Sequence, residues 1–145
     1  MDEATKAEFK EDFSLLIEAG FVAVKQADEV SAKRIFSAAQ ALSPKHTAPK
    51  IGMGYIALNK LQIKEATKIY EEVIALEPEN YLAQVFYGMC FLLTKGKLQK
   101  GEEIIKAAMQ KTSDVTVKNL AKISLEWAEK DLSKKNSLPF FAQPE

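Results

Sequence analysis

The sequence predicts an all-α protein of three helical hairpins closed by a further helix, and two observations predict it. Its 145 residues, 47% hydrophobic and 28% charged, are enough for one domain that buries a core without disulfide or metal support. A glycine recurs every 34 residues, at Gly20, Gly54 and Gly88, and Ala32 with Ala66, Phe36 with Tyr70 and Pro44 with Pro78 keep the same period. Within the first two units alanine follows glycine by twelve residues, an aromatic follows by four more and proline by a further eight.

Each element follows from that order. A glycine inside a helix costs about 1 kcal/mol against alanine, so its recurrence marks a place where a neighbouring helix comes too close for a side chain. Ala32 and Ala66 serve the same approach from the second helix, and Phe36 or Tyr70 one turn on fills the wider gap between repeats. Pro44 and Pro78 end the second helices, because the ring nitrogen cannot donate and the preceding residue is pushed out of helical geometry. Helices are predicted over residues 5–25 and 29–42, 47–59 and 63–76, and 81–94 and 98–111, with Asp28 and Thr47 as N-caps. The third unit keeps Tyr87 and Gly88, but Lys100 stands where alanine is expected. A shift of one residue aligns Gly101 and Ala108, which places a small insertion at the Lys95, Gly96, Lys97 turn.

A seventh helix is predicted over 114–135, with Val117, Leu120, Ala121, Leu125, Ala128 and Leu132 on one face and Trp127 as its anchor. It closes the apolar end that a stack of repeats leaves open. The expected organisation is a single domain over 1–136, with repeats at about 13–46, 47–80 and 81–113, a capping helix at 114–135 and an irregular tail at 137–145.

Charge and composition exclude several classes. Net charge is zero, so no global field draws the chain to nucleic acid or to anionic lipid. Residues 1–12 carry five acids against two lysines, whereas 94–136 hold ten lysines against six acids, and Arg34 is the single arginine among twenty basic residues. The longest nearly apolar run, Tyr81 to Leu93, is too short to span a bilayer, and the acidic start is the opposite of a secretory leader. These features predict a cytoplasmic protein without membrane insertion.

No chemistry is assembled. One histidine, His46, and one cysteine, Cys90, leave too few ligands for a zinc site and no nucleophile–base pair. His46 reads as a loop residue, Cys90 as a buried inert thiol, and the Glu71–Glu72 and Glu102–Glu103 pairs as solvated surface. Gly52 and Gly54 follow no strand and precede no lysine–serine pair, so they form no phosphate loop. The expectation is a protein that is not an enzyme, with no cofactor, no metal and no catalytic residue.

Met53, Gly54, Ala66, Tyr70 and Pro78, matched in the first unit by Ala19, Gly20, Ala32, Phe36 and Pro44, resemble the tetratricopeptide repeat family. The resemblance implies a right-handed solenoid whose concave side is lined by the first helix of each pair. Carried onto this register, the inward residues are Ile17, Phe21 and Val24, then Ala48, Ile51, Tyr55 and Leu58, then Leu82, Val85, Met89 and Leu92. Nearly all are apolar. The lysine and asparagine clamp with which one branch of the family holds acidic chaperone tails is missing, since Ile17, Phe21, Ile51 and Tyr55 stand at its positions.

Helices apolar all the way round need cover on every side, and three hairpins do not supply it. Burying about 500 Å² of such surface is worth on the order of 12 kcal/mol before association costs. The expected partner is a protein offering an amphipathic helix or an apolar segment. Other covers stay open: tight curling or a returning C-terminal helix, a homodimer joined through two grooves, or the tail residues Leu138, Phe140 and Phe141.

The run Ile51-Gly52-Met53-Gly54-Tyr55, followed by Ala66, Tyr70 and Pro78 and then Tyr87-Gly88-Met89-Cys90, is similar in character to the chaperones of bacterial type III secretion. That resemblance implies a holder of hydrophobic export substrates, with the needle-subunit class, which works with a second small cochaperone, ahead of the translocator class. The alternative is a general scaffold that joins two folded proteins through its charged outer faces.

Overall fold

Short polar and left-handed stretches punctuate the chain into helices. The computed structural model describes residues 2–132, and among them are seven α-helices and no strand. They are α1 (Glu3–Lys25), α2 (Glu29–Leu42), α3 (Ala48–Asn59), α4 (Ile63–Leu76), α5 (Tyr81–Leu92), α6 (Leu98–Lys111) and α7 (Val115–Trp127), followed by a π-helical turn, Ala128–Leu132. Side-chain oxygens fix four of the starts. Asp2 accepts from the Thr5 N–H, Asp28 from Ser31, Asn80 from Ala83, and Asp114 from Thr116 and Val117, each satisfying a backbone donor the helix itself leaves orphaned.

Several bounds differ from the sequence expectation for stated reasons. Asp2 starts α1 two residues early, and Asp114 is a cap rather than the first residue of α7. Thr47 makes no side-chain cap bond. Instead His46 Nδ1 accepts from the Ala48 N–H at 3.1 Å, and Pro49 sits in the first turn, where its missing donor costs nothing. Residues 133–135 of the expected capping helix, and Leu138, Phe140 and Phe141, lie outside the described residues.

Three turns share one backbone solution. Ala27, Leu61 and Gly96 have φ of 61°, 58° and 79°, each in the left-handed region just before a second helix. Their spacing is 34 and then 35 residues, as is that of the helix starts Glu29, Ile63 and Leu98. The third unit therefore carries one extra residue, and Gly96 accommodates it.

The chain divides into two compact units, Met1–Ile69 and the part from Tyr70 onward, with the boundary inside α4. In the first, α1 and α2 pack together and α3 packs on both. Phe36, fully buried, lies where a Cβ on Gly20 would come within 2.5 Å of its ring, and Gly52 on α3 meets the same ring even more closely. The missing side chains are what admit the ring. Ala23, Val24, Ala32 and Ile56 complete this core.

In the second unit α5 and α6 form an antiparallel pair, since Gly88 faces Ile105 while Gly101 faces Leu92. α7 packs on both, and the π-helical turn packs on α6. The core is Val85, Leu92, Ile105, Ala108, Val117, Ala121 and Ala128, with Trp127, Leu120, Leu125 and Leu132 half-buried against it. Tyr70, fully buried, stacks on Phe86 with centroids 5.4 Å apart. No helix of the described residues is long and apolar enough to cross a membrane.

Candidate functional site

The ten residues singled out in the sequence divide evenly by burial. Val24, Ile51, Leu58, Val85 and Leu92 are buried, while Ile17, Phe21, Tyr55, Leu82 and Met89 are half-buried. None is fully exposed.

In the first unit α1 and α3 set a ledge of rings. Phe21 meets the buried Phe36 edge-on at 5.3 Å and lies 5.6 Å from Tyr55, at an interplanar angle of 39°. Ile17 sits one turn before Phe21 on α1 and extends the ledge along the helix. The edge-on contact of Phe21 with Phe36 is a geometry that ring quadrupoles favour, and the surface it presents is apolar. Val24 drops out of the ledge because it packs inward among Ala32, Phe36 and Ile56.

At the end of the same helices, Val24, Ala27, Glu29, Ile56, Asn59 and Lys60 line a recess of about 260 Å³. The Glu29 carboxylate holds Lys33 at 2.8 Å and Lys60 at 2.9 Å. Its hydrogen bonds to Lys33 and then Lys60 keep the carboxyl below its ordinary range, and the Lys33 ammonium is correspondingly raised.

In the second unit Val85 and Leu92 belong to the core that α7 completes, and Leu82 and Met89 pack at its edge. α7 therefore supplies cover for part of the surface that the sequence left open. The ring of Phe91, which the sequence reading passed over, lies under the Lys100 ammonium at 4.6 Å and Lys97 at 5.6 Å, and edge-on to Tyr87 at 4.9 Å. Burial first, then Glu71 and Cys90, pushes the Tyr87 phenol up. Lys100 looked anomalous because alanine was expected there. Its place at the start of α6, after a turn with one added residue, is what brings it over the ring.

Among the described residues no three His, Cys, Asp or Glu side chains gather at metal-binding range. His46 packs its ring on Phe13 with centroids 4.6 Å apart, and Cys90 is buried and in no disulfide. No protein-family model matches the chain, and no curated protein matches its sequence.

Proposed function

We propose that the chain is a non-catalytic cytoplasmic binding protein of tetratricopeptide type, acting as a type III secretion chaperone that holds an amphipathic or hydrophobic segment of an export substrate, the needle subunit first among candidates. The observation that carries this reading is the half-buried aromatic ledge of Phe21 and Tyr55 beside Ile17. The 34-residue register, repeated in the left-handed turns at Ala27 and Leu61, supports the repeat type. Leu82 and Met89 add half-buried apolar area on α5.

The mechanism is equilibrium binding. A client helix laid on the ledge hides its assembly face, and the population free to polymerise falls by mass action. Binding needs no cofactor and no turnover, and release follows competition at the export site. A second small cochaperone fits the same scheme as a further protein partner.

A scaffold joining two folded proteins is the second reading. It is favoured by the fact that the most exposed large apolar side chains, among them Val30, Leu76 and Val115, lie outside the ten inward positions. Tyr55→Glu and Met89→Glu, co-expressed with the needle-subunit protein of the same cell, separate the two. The chaperone reading expects loss of the co-purified subunit with helical circular dichroism retained. Undiminished binding by both variants rejects it in favour of the scaffold.

A further inference from the structure

α1 carries two apolar stripes, and its own unit uses one. Phe13, Gly20, Ala23 and Val24 are buried, whereas Leu15 and Val22, seven residues apart on another side, remain 55% and 50% exposed. Ala19 lies between them, also exposed. Glu8, Glu11 and Glu18 stand three to seven residues from Leu15 and so rim the same side, with Lys25 the one lysine at its border.

α7 is built with the opposite sign. Val117, Ala121 and Ser124 are buried, while Val115 and Ile123 on the outer side are 68% and 63% exposed. Lys118 and Lys122 flank them at helical spacing and Lys130 follows in the π-helical turn, against Glu126 and Glu129 nearer the C-terminal end. Stacked-helix proteins normally end on polar outer faces. Among the described residues the first and last helices both keep large apolar side chains in water, one in an acidic rim and the other in a rim where lysines outnumber acids.

We propose that α1 of one copy packs against α7 of a second copy, head to tail. Leu15 and Val22 then cover Val115 and Ile123, and the rim of Glu8, Glu11 and Glu18 meets Lys118 and Lys122. Pairing α1 with α1 is disfavoured, because it sets acid against acid. A contact between two different faces leaves one of each unused at the ends, so the assembly lengthens with concentration. The charged rims make it salt-sensitive, since the screening length falls from about 10 Å at 0.1 M salt to about 3 Å at 1 M. This inference does not rest on the client-binding reading, because it uses none of the ten inward residues.

The test is analytical ultracentrifugation of the full chain with two surface variants. Leu15→Lys spoils the α1 face and Ile123→Glu spoils the α7 face, and both side chains are exposed, so each variant should keep wild-type circular dichroism and melting temperature. The wild type should gain mass with concentration at low salt and lose that gain at high salt. Each variant alone should stay monomeric, and an equimolar mixture should form a pair that grows no further, since each copy keeps one good face. A wild type that is monomeric throughout, a Leu15→Lys protein that still associates, or a mixture that fails to pair would each overturn the proposal.

Discussion

The peptide oxygen of Gly88 lies 2.7 Å from the point where a side chain on Gly101 would begin, and the Leu92 amide nitrogen lies 2.8 Å from it. Both obstacles are backbone, which cannot rotate aside. Gly101→Ala should therefore lower stability by about 2 kcal/mol, the overpacking penalty exceeding the roughly 1 kcal/mol that alanine gains in helix propensity. Urea unfolding followed by circular dichroism reads the change, and an unchanged or raised midpoint would contradict the close approach.

At Gly52 the obstacle is a side chain, the Phe36 ring. Gly52→Ala should cost stability, and Phe36→Leu should cost about 1–3 kcal/mol by emptying ring volume. The double variant should lose less than the sum of the two, with a coupling of about 1 kcal/mol. Additive losses would mean that the ring and the glycine do not share the same space.

Leu61 is exposed and left-handed, with φ 58°. A non-glycine residue held there costs about 1–2 kcal/mol, and glycine returns part of that through its larger unfolded-state entropy. Leu61→Gly should raise the melting temperature by a few degrees, and Leu61→Val should lower it, because a branched Cβ fits the region worst. Differential scanning calorimetry of the two variants checks both signs.

Acid should weaken the protein by a route the ion pairs define. Glu29, Asp28 and Asp2 all titrate below their ordinary values in the folded chain, Glu29 through Lys33 and Lys60 and the aspartates through the Ser31 and Thr5 groups they cap. A depressed carboxyl contributes stability above its unfolded value and loses it as pH falls through the folded one. The urea midpoint should hold steady from neutral pH down to the ordinary carboxyl values, 4.5 for Glu29 and 3.8 for the aspartates, and fall beneath them. Because these groups are exposed the loss is small, and Glu29→Gln should flatten part of it.

Asp114 caps α7 through two backbone donors, at 2.8 and 3.3 Å. Asp114→Ala should cost about 1 kcal/mol. The fluorescence of Trp127, the single tryptophan, packed on the core of that unit, reports the loss as an earlier transition.

The second helices were the most legible part of the fold. α2, α4 and α6 run over the residues expected of them, because the small residue near the start of each and the stops at Pro44 and Pro78 act locally. The starts of α1 and α7 were less legible, since Asp2 and Asp114 each had to be chosen as a cap rather than a helical residue. The candidate site was partly legible. The repeat register, read through the family resemblance, singled out Phe21 and Tyr55, which are half-buried side by side, but the burial of Val85 and Leu92 needed knowledge of where α7 packs, which no local pattern holds. The wet stripe of Leu15 and Val22 was invisible for a related reason: in a helix apolar on most sides, periodicity does not say which side meets water.

Cys90 is the chain's single sulfhydryl, and it is 1% exposed in the last turn of α5. A reagent that alkylates it must wait for that segment to come apart, so the modification rate in native buffer is a clock for opening. Run with and without the proposed client, the clock tests whether a guest tightens its host or merely rests on it.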